Sequence, residues 1–291
     1  MCAAPNKPNK PGEVETTGHV WDGIEEYNNP MPRWWLWTFY ATIVWALIYS
    51  ILYPAWPLLT RATPGLLGYN QRAEVAKEIE RFAALNAPMR DRLVAAELDA
   101  IANDPELLSF ANNAGSAVFK TWCAQCHGAG AAGVQASGYP NLLDDDWIWG
   151  GTVADIHYTV THGIRSTADD DTRDSAMPAF GEMLEKGEID QIVQFVRKLS
   201  SQEHDTALAA SGETLYLDNC ASCHGDAGEG NRDIGAPTLN DAIWLYGGSA
   251  EAITQTITYS RAGMMPNWNT RLSEADIRSV AVYVHGLGGG E

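Results

Sequence analysis

The residues best suited to chemistry stand in two short runs, Cys123-Ala-Gln-Cys126-His127 and Cys220-Ala-Ser-Cys223-His224, each followed by glycine. Two thiols at that spacing match the two vinyl groups of a haem, and the adjacent histidine supplies the proximal iron ligand. One such run could equally be a zinc half-site or a thioredoxin-like pair. Two runs inside one longer repeated pattern point to covalent attachment of two haems c and to one-electron transfer. The fifth cysteine, Cys2, reads as an unpaired thiol on the N-terminal tail.

His127 and His224 leave each iron one open position, which needs a soft or imidazole donor. Met177-Pro178 and Met265-Pro266 occupy matching places after the two runs. The fixed backbone angle of proline helps to hold such a loop. Sequence order therefore assigns His127 and Met177 to the first iron, and His224 and Met265 to the second. Met264 competes with Met265 but lacks the Met-Pro register, and Met183 reads as packing. His157 and His162 lie too early, and their counterparts are Thr254 and Tyr259. Structural or propionate contacts suit them better, and Arg165 is a further candidate partner for a propionate.

These residues must be positioned by a duplicated unit. Gly115, Phe119, Cys123, Pro140, Trp147 and Ile156 recur 97 positions later as Gly212, Tyr216, Cys220, Pro237, Trp244 and Ile253. The offset becomes 88 at Met177 and Met265, at Ile189 and Ile277, and at Phe195 and Tyr283. Fixed offsets of this kind mark two copies of one unit. The first copy carries extra residues around Ala168–Asp174, read as a hydrophilic loop. Each copy runs from a helix into the CxxCH turn, a glycine-rich loop, a middle helix, a Met-Pro loop and a final helix. Phe119 and Phe195, like Tyr216 and Tyr283, are expected where the first and last helices of a copy meet. The boundary is placed near 200–210.

Ahead of the repeat, Trp34–Thr60 lacks Asp, Glu, Lys, Arg and His, and Trp34–Tyr53 is its apolar heart. Some 20 apolar residues span about 30 Å of hydrocarbon as a helix. Trp34, Trp35 and Trp37 at one end and Tyr53 and Trp56 at the other suit the two interfaces. Counting Lys7, Lys10 and Arg33 against Arg61 and Arg72 does not orient the span. Haem attachment outside the bacterial cytoplasmic membrane does: N-terminus inside, haem domains outside. Met1–Pro30 has no early apolar region of a cleaved signal, and the isolated His19 carries no metal expectation. Two amphipathic helices are expected over Ala73–Leu85 and Asp91–Ala102, broken by Pro88 and Pro105. The net charge of −18 disfavours nucleic acid and favours a basic partner face.

The fold expected is mainly α: one N-terminal transmembrane helix followed by two tandem class I cytochrome c domains. Its segments are 1–33 cytoplasmic, 34–57 anchor, 58–108 helical periplasmic spacer, 109–202 first cytochrome domain and 203–291 second. Gly18–Pro30, Pro32–Trp37, Trp122–Gly128 and Ile243–Gly248 together resemble subunit III of cbb3-type cytochrome c oxidase, the CcoP/FixP family. The resemblance covers nearly the whole chain. It implies a dihaem subunit that takes electrons from a c-type donor. The electrons pass through the monohaem subunit II to the oxygen-reducing haem b3–CuB subunit I, with proton pumping by the complex. Subunits I and II are the implied partners, with a small fourth subunit as a further candidate, and Met177 and Met265 fall at the family's distal-ligand positions. Other readings are a membrane-anchored dihaem cytochrome of another redox chain, and a non-redox assembly subunit.

Overall fold

The computed structural model describes residues 15–291, so the expectations for Cys2, Lys7 and Lys10 lie outside the described residues. The chain divides within one helix into two compact units, the first ending at Ala83 and the second beginning at Ala84.

In the first unit, β1 (Thr16–Trp21) and β2 (Ile24–Tyr27) pair antiparallel. Asp22 and Gly23 take φ of 51° and 86° between them. An Asp-Gly pair tolerates such a turn, which matches the twist of the strands it joins. Helix α1 (Arg33–Leu52) has no buried residue among the described chain and a mean hydropathy of 1.6 over its apolar window. At about 1.5 Å per residue it is long enough to cross a membrane. The Leu66 and Leu67 N–H groups donate to the Ile51 and Leu52 carbonyls at 3.0 Å each, satisfying backbone acceptors at the helix end.

Helix α2 (Gln71–Ala95) passes straight through Pro88, where two shorter helices were expected. An internal proline removes only its own N–H bond and crowds the preceding turn. Here the following turn is held by tertiary contacts: Leu93 is fully buried with Ile101, Leu107, Ala111 and Val282. Pro105 instead opens α3 (Pro105–Val118), whose Asp104 cap accepts from the Glu106 and Leu107 N–H groups.

The rest of the second unit contains a π-turn at Phe119–Cys123, the one-turn α4 (Ala124–His127), α5 (Val153–His162) and α6 (Lys186–Leu199). Then come α7 (Thr206–Asn219), the one-turn α8 (Ala221–His224), α9 (Ala250–Tyr259) and α10 (Glu274–His285). The two copies do not fold one after the other. Helix α10, the last of the second copy, packs on α3 and α5 of the first. Helix α6, the last of the first copy, packs on α7 and α9 of the second. The aromatic contacts follow: Phe119 meets Tyr283 at 5.6 Å and Phe195 meets Tyr216 at 5.1 Å between ring centroids.

The expected domains at 109–202 and 203–291 are joined by this exchange of C-terminal helices. Its local reason is that the crossing points are alike. A Cβ on Gly115 would lie 2.6 Å from the Tyr283 Cβ, and one on Gly212 would strike the Gln191 backbone. Glycine thus lets each pair of helices approach to backbone contact. The fully buried Phe119 and Tyr216 rings each contribute about 1.5–3 kcal/mol of burial at these crossings.

Candidate haem sites

Each CxxCH run is a single helical turn at the end of the helix that carries the core aromatic residue. Cys123 and Cys220 pack into the two cores, while Cys223 is exposed. No disulfide joins the four thiols. Burial first, then the neighbouring cysteine of the run, pushes Cys123 and Cys220 up to about 11. Unpaired thiols at this spacing beside a histidine are suited to thioether formation with a haem.

The histidines are prepared as neutral ligands. His127 Nδ1 lies 3.3 Å from the Pro140 carbonyl, and His224 Nδ1 lies 2.9 Å from the Pro237 carbonyl. With Nδ1–H donated to that carbonyl, Nε2 keeps its lone pair for a metal, and the ring orientation is fixed. Burial lowers the affinity of both rings for a proton, opposed by those carbonyls. Matching short pairings fold the loops that carry the two prolines, Val134 with Tyr139 and Asn231 with Ala236. The donor sets therefore fit two haems c.

The methionines arrive crosswise. Met265 packs on the core formed around Phe119 and Trp268, as do Cys123 and Ala124. Met177 packs with Phe180, Tyr216, Cys220 and Ala221. Sequence order pairs His127 with Met177 and His224 with Met265, whereas the packing sets Met265 in the core of the first CxxCH run and Met177 in that of the second. The physical cause is the helix exchange, since each Met-Pro loop travels with the final helix that follows it. Met264 is 63% exposed and Met183 60% exposed, so neither belongs to a core, and the packing expectation for Met183 fails.

The remaining candidates are occupied structurally. His157 Nε2 meets Glu274 at 3.0 Å, which ties α5 to α10. His162 Nδ1 meets Asp169 at 3.0 Å, and Asn269 donates to the same carboxylate at 2.6 Å. The insert around Ala168–Asp174 is therefore not a wholly solvated loop, because Asp169 is largely buried and anchors the loop of Met265. Arg165 donates to the Gly263 and Ser175 carbonyls at 2.6 and 2.7 Å. Sequence reasoning named Trp122 only within its motif and overlooked Trp268, whose ring lies 5.8 Å from that of Trp122. Their counterparts are Asn219 and Phe180, and that break in the repeat was the available signal.

A helical unit with two crossed cores, each holding a CxxCH turn and a methionine loop, defines a c-type cytochrome architecture. Residues 110–196 and 207–284 match the family described as cytochrome c oxidase, cbb3-type, subunit III. Residues 13–60 match the N-terminal domain of cytochrome oxidase-cbb3, FixP. The chain is 63% identical over 293 residues to the cbb3-type cytochrome c oxidase subunit CcoP of Cereibacter sphaeroides, covering 100% of both. It is 55% identical to a CcoP subunit of Rhodobacter capsulatus, covering 98% of this chain and 99% of that one. Against the FixP subunit of Azorhizobium caulinodans the identity is 50%, over 96% and 95%. The chain belongs to the cbb3-type cytochrome c oxidase subunit III family.

Proposed function

We propose that this chain is the dihaem electron-transfer subunit of a cbb3-type oxidase. It takes electrons from a c-type donor and passes them through the monohaem subunit II to the oxygen-reducing haem b3–CuB subunit I. It has no oxygen-reducing centre of its own. Two haems c are attached, one through Cys123 and Cys126 and one through Cys220 and Cys223. His127 with Met265 would hold one iron, and His224 with Met177 the other. The observation that carries this reading is the paired environment: each histidine is held by a proline carbonyl, and the first cysteine of its run shares a core with the methionine of the other copy.

The bound haems supply one-electron cycling of iron between +3 and +2. The chain's residues set the conditions for it. The histidines are oriented and kept neutral, the cysteines fix the macrocycle, and the thioethers favour ferrous iron and raise the potential. With a histidine and a methionine available to each iron, the chemistry that a bound haem would supply is one-electron transfer. Helix α1 anchors the chain in the bacterial cytoplasmic membrane beside subunits I and II, with the N-terminus in the cytoplasm and the haem units in the periplasm. External protease acting on spheroplasts should digest the haem units, whereas their protection would reverse that topology.

The ligand pairs are tested in a Cys220→Ala/Cys223→Ala background, where only the first run binds haem. Pyridine haemochrome should fall from two haems per chain to one. The ferric methionine–iron absorption band should then disappear with Met265→Leu and persist with Met177→Leu. The opposite pattern would restore the pairing in sequence order.

A further inference from the structure

The two methionine loops meet at one side chain. Arg165 follows α5 at a φ of 52°, in the left-handed region that non-glycine residues seldom occupy. Its Nε donates to the Gly263 carbonyl at 2.6 Å, and its Nη1 donates to the Ser175 carbonyl at 2.7 Å. Gly263 stands two residues before Met265, and Ser175 two residues before Met177. The base of the side chain is held as well. The Arg165 N–H donates to the Arg173 carbonyl at 2.9 Å, while Ile164 and Met265 exchange two backbone bonds of 2.9 Å each.

The arrangement has no second copy. Gly163 and Ser260 occupy equivalent places after α5 and α9, each donating its N–H to the fourth residue before it. Two residues on, the first copy has Arg165 and the second has Ala262. The Ser260 hydroxyl donates to the Met177 carbonyl, so the Met177 loop has a second tether, but nothing in the second copy spans both loops as Arg165 does. A planar guanidinium presents several donors at fixed angles, so one rigid group can set the separation of two carbonyls.

We propose that Arg165 is a positioning residue shared by both haem sites, a single clamp that sets how far Met177 and Met265 each extend toward iron. Loosening it alters both methionine–iron bonds together and moves both haem potentials. The proposal rests on Met177 and Met265 being the sixth ligands, and it goes beyond that reading by making the two bonds interdependent. It differs from a propionate partner, which would act as a local charge on one haem and leave the ligands in place.

The test uses the purified full-length holo-chain, with the ferric methionine–iron band and an optical redox titration as readouts. Met177→Leu and Met265→Leu should each remove about half of the band. If either leaves the band intact, the ligand reading fails, whatever Arg165 does. With those controls in order, Arg165→Gln should lower both potentials and reduce the band by more than half, with two haems per chain retained. Arg165→Lys keeps the charge but not the fork, and should recover only part of the band. A shift of one potential with an undiminished band would overturn the clamp in favour of a local charge. Full recovery by lysine would overturn it in favour of charge alone. Arg165→Gln chains that lose haem are replaced in the comparison by Arg165→Lys, where an unchanged band and unchanged potentials also refute the proposal.

Discussion

The exchange of helices α6 and α10 can be measured through the pair Arg90–Asp276. Arg90 reaches the two Asp276 carboxylate oxygens at 2.9 and 3.1 Å and the Ser273 hydroxyl at 2.6 Å. In an unexchanged fold the residue facing Arg90 would be Glu188, which holds the corresponding place on α6. Bare Coulomb attraction at about 4 Å and an effective dielectric near 20 is about 4 kcal/mol. The side chains are 35% and 25% exposed. Screening, desolvation and lost side-chain freedom bring the net coupling to about 1–2 kcal/mol, above an ordinary surface pair. A double-mutant cycle of Arg90→Gln and Asp276→Asn, followed by denaturant unfolding of the purified holo-chain, should return that coupling. The cycle with Glu188→Gln should be additive within about 0.5 kcal/mol. Burial works against the Asp276 charge, but Arg90 and Ser273 outweigh it and hold the carboxyl below its ordinary range. The coupling should therefore be complete above the unfolded carboxyl value of about 3.9 and be lost as pH falls through the lower folded value. Additivity with Asp276 and coupling with Glu188 would refute the exchange.

Two further outcomes are expected. Burial, then Asp241 and Asp144, pushes Asp146 up to about 6, so its charge opposes the fold as pH rises from about 4 to about 6 and beyond. Asp146→Asn should stabilise the holo-chain by about 1 kcal/mol at pH 7.5, after allowance for solvent screening, and have no effect below pH of about 4; an equal gain at both pH values would remove this account. Association with a basic donor should slow steeply as salt rises, since exposed charges are screened over roughly 8–10 Å. Neutralising the exposed Asp170, Asp171 and Asp174 together should reduce the stopped-flow rate while leaving stability unchanged. Asp169 is excluded because it holds His162 and Asn269. A flat salt dependence would leave no part for steering.

The sequence by itself determined what is local. Two thiols and a histidine in one helical turn need no tertiary knowledge to be read as a haem attachment run. The charge-free aromatic segment that becomes α1, the repeat offsets and the Met-Pro loops are likewise legible, because each depends on neighbouring residues or on the chain's similarity to itself. Pairing across the repeat was not legible in the same way. Duplicated helices offer nearly the same partners, so glycine against backbone and phenylalanine against tyrosine are satisfied by either arrangement. Only contacts outside the repeat separate the two.

Arg278 donates to the Leu93 and Ala96 carbonyls at 3.2 and 2.6 Å, and its counterpart on α6 is Asp190, which cannot donate there as a carboxylate. Glu274 accepts His157, where the α6 counterpart Lys186 would offer a second donor. The connection over residues 200–205 is also short, and consecutive helices so joined pack against each other as α6 and α7 do. These residues select a partner only when α2, α5 and α10 lie side by side. Which methionine shares a core with which CxxCH run was therefore decided by tertiary structure: the Met-Pro loop follows its helix, and the helix follows the few contacts that the repeat does not duplicate.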